Sequence, residues 1–212
     1  MNTSDSVKRL IGTAGAVLWL LAGGVAHAQS IAVSGGAGVG RLWDDETNLG
    51  TGTVLAAGVA TGLGGHVRVS GDVDWLSHRR TLTYLRADGD AVGLFGRASY
   101  VFGPTGRRVR PLVGGGLGII RSTGTLRTPG LAMGPGGEVV VSTTPNVATD
   151  WSLTKAAWEL HTGVRVGADR FVLQPEVRWR ASAGADDFRP AGGIEPPLLG
   201  VQGLVSLEWR LK

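Results

Sequence analysis

The chain has no cysteine, only three lysines and two tyrosines, and beyond its first 28 residues no long apolar run. Each absence excludes something. Without cysteine there is no disulfide framework and no thiolate to hold zinc or attack a substrate. An exported chain without disulfides draws its stability from elsewhere, and closing a sheet into a barrel is one way. No stretch after the N-terminus approaches the ~18 consecutive apolar residues of a spanning helix, so none is expected in the mature chain. The histidines and acids lack an H-E-x-x-H spacing. Gly114-Gly115-Gly116 is not followed by the Lys-Ser/Thr of a phosphate-binding loop. Neither metal nor cofactor is expected.

At the N-terminus Lys8 and Arg9 precede an apolar stretch from Leu10 to Val25, and Ala26-His27-Ala28 forms a small-x-small cleavage site. Residues 1–28 therefore read as a secretory signal and 29–212 as one domain. A retained anchor is the competing reading, but Gly12, Gly15, Gly23 and Gly24 interrupt the stretch and leave it short for a span. Basic residues outnumber acids 21 to 17, yet they are scattered among the acids. Nucleic acid favours a clustered basic face and is not an expected partner. The 36 glycines follow no G-x-y period, which excludes collagen.

What the chain does contain is alternation. From Lys155 to Ala181, Ala156, Trp158, Leu160, Thr162, Val164 and Val166 share one face, and Lys155, Glu159, His161 and Arg165 share the other. Gly167-Ala168-Asp169-Arg170 makes a turn. Phe171, Leu173, Pro175, Val177 and Trp179 then oppose Gln174, Glu176, Arg178 and Arg180. A period of two marks a two-faced strand, and about nine to eleven tilted residues cross a bilayer as one. The pattern extends to eight strands, near 30–41, 51–62, 65–76, 90–102, 108–121, 153–166, 171–181 and 198–211. Short connections near 63–64, 103–107 and 167–170 alternate with long ones near 42–50, 77–89, 122–152 and 182–197. In an up-and-down meander this gathers the short turns at one end and the long loops at the other. The expected fold is an all-β, eight-stranded antiparallel transmembrane barrel with short periplasmic turns and long extracellular loops.

A soluble lipocalin-like barrel shows the same alternation with its apolar face inward. Three features favour the membrane. Aromatics on the apolar face sit near strand ends: Tyr100, Phe102, Phe171 and Trp209 towards the short turns, and Trp75, Trp158 and Trp179 towards the long loops. Two such girdles suit the two interfaces of a bilayer. The polar face is rich in glycine (Gly36, Gly38, Gly40, Gly93, Gly114, Gly116, Gly118), as a narrow lumen requires. Acids and bases also mix on that face, where they can pair.

With these strands in view the mature chain resembles the small outer-membrane β-barrel superfamily, similar to the transmembrane domain of outer-membrane protein A and to outer-membrane protein X. The resemblance implies the cell outer membrane of a Gram-negative envelope as location, outer-membrane lipids as surroundings and the outer-membrane assembly machinery as partner. That machinery reads a last strand of alternating apolar positions ending in an aromatic. Here Val205, Leu207, Trp209 and Leu211 alternate, with Leu211 at the usual aromatic position and Lys212 after it.

Candidate site residues lie on the polar face. Arg68, Asp72, Asp74, Arg97, Arg110, Glu159, Arg165, Glu176, Arg178, Arg180, Glu208 and Arg210 are expected to point into the lumen as a charge network, with His66, Lys155 and His161 beside them. An eight-stranded barrel is barely wide enough for its own side chains, so the network reads as a plug, with a narrow low-conductance channel as the alternative. A lipid A-modifying enzyme needs a base beside a hydroxyl. Ser77-His78 and His161-Thr162 are neighbours whose side chains diverge, and there is no His-x-Ser pair, so no catalytic residue is expected. The 122–152 connection carries Pro129-Gly130 and Gly134-Pro135-Gly136-Gly137, then the strand-like Glu138-Val139-Val140-Val141. It reads as a projecting hairpin able to bind a surface ligand by its edge, or as a plain surface flap. Arg79, Arg80, Arg86, Arg121, Arg127 and Arg189 at the outer rim suit the phosphates of lipopolysaccharide, or simple solvation.

Overall fold

The computed structural model describes residues 31–44, 47–63, 65–82, 85–133, 139–168, 170–182 and 199–211. They form eight strands and no helix: β1 Ile31–Asp44, β2 Thr47–Leu63, β3 Val67–Leu82, β4 Leu85–Val101, β5 Val109–Met133, β6 Val139–Ala168, β7 Phe171–Ser182 and β8 Leu199–Leu211. Each strand pairs antiparallel with its neighbour in sequence, and β1 closes on β8 from Ile31↔Leu211 to Trp43↔Leu199. Closure gives every strand two partners, the condition for burying backbone N–H and C=O groups in lipid. All eight expected strands are present in the expected order. The expected signal at 1–28, Arg189 and Lys212 lie outside the described residues.

At the short-turn end the chain reverses tightly. Gly65 (φ 82°) and Gly103 (φ 82°) take left-handed conformations that side-chain-bearing residues avoid, and Phe102 N–H donates to Pro111 O at 2.8 Å to close the β4–β5 turn. At the other end the structure departs from the sequence reading. Stretches expected as loops at 42–50, 77–89 and 122–152 are largely strand, as β1–β2 and β3–β4 run on to Asp44↔Thr47 and Leu82↔Leu85. β5 and β6 continue to Met133↔Val139, with irregular register where Pro129 meets Pro145, since proline donates no ladder hydrogen bond. Beyond the outer aromatics the outward face carries polar residues such as Arg79, Arg86 and Asp88, so pairing persists without the apolar alternation that reveals it in sequence.

The two faces are sorted inversely to a water-soluble protein. Outside, Val39, Leu55, Leu160, Val205 and Leu207 are exposed, and Leu117 is 74% exposed. Inside, Arg68, Asp72, Asp74, Arg97, Glu159, Glu176, Arg178, Arg180 and Glu208 are buried. A barrel in water buries its apolar face; this one presents it to hydrocarbon. The interior is not polar throughout, however. Towards the outer end Leu42, Val54, Leu76, Ala91 and Leu204 form an apolar cluster, flanked by Ala56 and Ile120. Phe95, placed on neither face above, is fully buried inside.

Two opposite walls of the barrel are nearly bare. On β5, Gly114, Gly116 and Gly118 face inward, and side chains from flanking strands lie over them. A Cβ on Gly114 would stand 2.6 Å from His161 Nε2, one on Gly116 2.9 Å from Arg97 Cγ, and one on Gly118 2.8 Å from Phe95 Cδ1. On β1, opposite, Gly36 is similarly covered by Ser206, and Gly40 by Val54, Gln202 and Leu76. Long side chains on β3, β4, β6 and β7 thereby gain the room a narrow lumen otherwise denies them. Gly118→Ala, whose Cβ would also lie 2.1 Å from Leu94 O, is expected to cost about 1–3 kcal/mol by overpacking. Gly35→Ala, with nothing within 4 Å, is expected to be silent. Urea titration of heat-modifiable gel migration checks both.

Candidate functional site

Strand pairing stacks the interior residues in layers. In the middle layer Arg97 (β4), Gly116 (β5), Glu159 (β6) and Arg180 (β7) occupy one row of the register. Arg97 crosses the bare Gly116 to reach Glu159, its Nε 2.9 Å from Oε1, and Arg180 Nε donates to Glu159 Oε2 at 2.6 Å. The Arg180 guanidinium also extends from β7 to the opposite wall, donating from Nη1 and Nη2 to the two oxygens of Asp74 on β3 at 2.6 and 2.5 Å. Its Cζ lies 4.3 Å from the centroid of the Phe95 ring, a cation–π contact. Arg97 pairs further with Asp72 at 3.3 Å. Arg178 pairs with Glu176, whose other oxygen accepts from Gln174 at 2.8 Å. Four carboxylates thus face three guanidiniums, each charge partnered, which offsets the several kcal/mol that burying each ion costs.

The charged side chains nearest the short turns gather on a single acid. Arg68 on β3 and Arg165 on β6 reach Glu208 on β8 at 2.6 and 2.5 Å, and Arg210 lies 3.7 Å from it. Arg110 pairs with no acid among the described residues. Its Nη2 donates to the carbonyls of Gly65, Val101 and Gly103 at 2.9, 3.2 and 3.1 Å. Of the twelve expected network residues, ten form ion-paired layers inside the barrel, while Arg110 and Arg210 sit at its mouth. Lys155 is half-buried on the inward face. His66 is not in the lumen: it belongs to the β2–β3 turn, where its ring stacks on Tyr100 with centroids 5.7 Å apart. Its inward placement assumed that alternation continued through a residue where the chain reverses.

One constellation went unseen in the sequence. Ser99 on β4 and His161 on β6 flank Gly114, and Ser99 Oγ lies 2.8 Å from His161 Nε2. His161 Nδ1 is 3.4 Å from Glu159 Oε1. Hydroxyl, imidazole and carboxylate stand in the order of an acyl-transfer triad. Only the register brings together residues 62 positions apart, so no local spacing signals them. Ser99 and His161 are 5% and 2% exposed, and the void they line with Ser34, Ser70 and Gln174 holds about 10 Å³, room for one water. That space is smaller than an acyl chain, and the pair stands among the other polar layers of the interior.

The seven expected interface aromatics, Trp75, Tyr100, Phe102, Trp158, Phe171, Trp179 and Trp209, all lie exposed on the outer surface. Near the short turns Tyr100 packs edge-on to Phe102, and Phe171 stacks on Trp209. Trp75, Trp158 and Trp179 form the other band. On β3 the interval from Val67, paired with Tyr100, to Trp75 equals that on β8 from Trp209 to Val201, paired with Trp179. It measures about 27 Å of strand at ~3.4 Å per residue. A tilt of about 40° makes it roughly 20 Å of height, near the ~25 Å apolar band of such barrels.

This geometry has counterparts among solved structures. Neisserial surface protein A superposes with a TM-score of 0.61 at 13% identity, covering 85% of this chain and 97% of that one. The fold is that of the small outer-membrane β-barrels. A major outer-membrane protein from Thermus thermophilus matches with a TM-score of 0.56 at 13% identity, over 85% of this chain and 99% of its own. Ail, the attachment invasion locus protein of Yersinia pestis, solved in complex with the heparin analogue sucrose octasulfate, matches at 0.52 and 11% identity, over 86% and 98%. No protein-family model and no curated protein matches the sequence. With its apolar exterior and charged interior, the barrel has the surface of a protein that stands in a bilayer.

Within this barrel, Asp74→Ala leaves Arg180 buried without its bidentate partner, and the expected loss is about 3–5 kcal/mol. Asp74→Ala combined with Arg180→Ala is expected to cost less than the sum of the single changes, a coupling read by urea unfolding in lipid vesicles. A fluorophosphonate probe is expected to leave Ser99 unlabelled in the folded barrel, as mass spectrometry would show.

Proposed function

We propose that residues 29–212, released from a secretory signal at 1–28, form a closed barrel whose role is structural or surface interaction, its lumen plugged by ion pairs. The observation that carries this reading is the Arg180–Asp74 bridge between opposite walls, with the apolar cluster around Leu76 and Val54 beyond it. A permeating ion would have to displace a fully partnered charge pair and then cross an apolar layer. Both steps are costly where no water compensates. The two aromatic bands anchor the barrel at the membrane interfaces, amphipathic rings settling at the headgroup level. The last strand, β8, is the element offered to the outer-membrane assembly machinery.

Interaction is assigned to the outer end. Between Val139 and Ala156, β6 has no described partner on its β7 side, so the projecting β5–β6 hairpin offers an edge to which an extended segment of a surface ligand can add. Arginines crowd the same end: Arg79 and Arg86 share Asp88 at 2.5 and 2.8 Å, and Arg86 stands opposite Arg127 in the register. Two guanidiniums on one carboxylate, with a third adjacent, leave positive charge for lipopolysaccharide phosphates. The sulfated sugar bound by Ail is an anion of comparable chemistry on a barrel of this fold.

In planar bilayers the purified protein is expected to give no discrete conductance steps. Reproducible steps would replace the plug by a narrow channel. Arg79→Glu combined with Arg127→Glu is expected to lower co-purifying lipopolysaccharide several-fold without changing heat-modifiable migration, and unchanged retention would remove the arginines from that role.

A further inference from the structure

The short-turn mouth opens into a cavity of about 280 Å³ lined by Arg68, Arg107, Arg110, Arg165, Arg210 and Glu208. Among the described residues five guanidiniums meet one carboxylate there, whereas the layer above sets three against four. This segregation is the unusual feature. Charge inside the barrel is neutralised nearly pair by pair until the mouth, where positive charge accumulates around open space.

The single acid is already committed. Both oxygens of Glu208 are taken, one by Arg68 and the other by Arg165, and Arg210 adds a longer contact. Arg165 Nε is buried with no hydrogen-bond partner among the described residues. Arg110 is tied to turn carbonyls, which orient its guanidinium but leave its charge unneutralised. Arg107, on the β4–β5 turn, is exposed at the rim. Asp169, the one acid of the nearby β6–β7 turn, lies outside the described residues. Planar, permanently charged guanidiniums converging on a cavity from several strands match the tetrahedral oxygens of phosphate better than a single carboxylate, because each offers a two-pronged donor.

We propose that this mouth is a binding site for a small phosphate-type anion entering from the periplasm. The cavity suits an inorganic or terminal diphosphate, and the low-dielectric barrel wall behind Arg68 and Arg165 concentrates the positive field on it. The site is separate from the outer-rim arginines, being at the other end of the barrel. A phospholipid headgroup of the inner leaflet carries the same chemistry, so the source is what the experiment must separate.

Pyrophosphate is titrated by calorimetry into the full-length barrel in nanodiscs at physiological salt. The discs contain either phosphatidylcholine alone or phosphatidylcholine with phosphatidylglycerol. Saturable one-site binding of equal affinity in both discs is expected. Arg107→Gln, at an exposed turn, is expected to weaken it several-fold without affecting folding. Arg165→Gln combined with Arg210→Gln is expected to weaken it about tenfold or more. Gly35→Ala, on the outer face of β1 with nothing within 4 Å of the added Cβ, is expected to leave it unchanged. Absence of saturable binding, or equal affinity for wild type and Arg107→Gln, would overturn the proposal. Loss of binding only in phosphatidylglycerol discs would give the site to the lipid headgroup and overturn the periplasmic source. If the double variant fails to fold, Arg107→Gln decides alone.

Discussion

A guanidinium that leaves β7, takes one oxygen of Glu159 and then grips both oxygens of Asp74 on the far wall is the tie around which this barrel is arranged. Arg180 cannot make that reach past bulky neighbours. β1 and β5, the two walls between which it passes, are accordingly lined by glycine. The bare stretch on β5 also lets Arg97 and His161 cross to partners two strands away. Charge pairing and glycine placement are therefore one constraint. A larger residue at Gly116 or Gly114 would not merely crowd the lumen but separate Arg97 from Glu159 or Ser99 from His161.

Pairing also explains why so polar an interior is tolerated. A lone buried ion costs far more than the barrel could recover, whereas layered carboxylates and guanidiniums satisfy one another. The stability gained over an apolar filling is small. What layering adds is uniqueness, since each arginine has a particular acid at a particular height. Polarity then changes along the axis, from an apolar cluster at the outer end through a balanced belt to an arginine-rich mouth. That gradient sets the two anion sites proposed above, the outer rim and the short-turn mouth, at opposite ends of the barrel.

Much of this was legible in the chain. Alternation at Lys155–Val166 and Phe171–Arg180 identified strands, because one face meets lipid and the other does not. Trp75, Trp158 and Trp179, with Tyr100, Phe171 and Trp209, marked both ends of the apolar band by position alone. Legibility failed where that asymmetry ends. Beyond the outer aromatics the outward face is no longer apolar, so the extensions of β3–β4 and β5–β6 carry no clear period and read as loops. His66 was misplaced because a turn broke the parity that assigned it. Phe95 was overlooked although it shares parity with Arg97, because an aromatic is not expected among charges until the cation above it is seen.

The sequence by itself determined that the chain forms two-faced strands in a meander, and which residues face inward, since side-chain direction follows from local backbone geometry. Only the tertiary structure decided which inward residues meet. Partners such as Asp74 and Arg180, or Ser99 and His161, are set by closure and by the register between strands, which no local spacing encodes. Closure likewise turned a list of scattered arginines into an ion-paired belt and a positively charged mouth, because the net charge of a site depends on who stands next to whom.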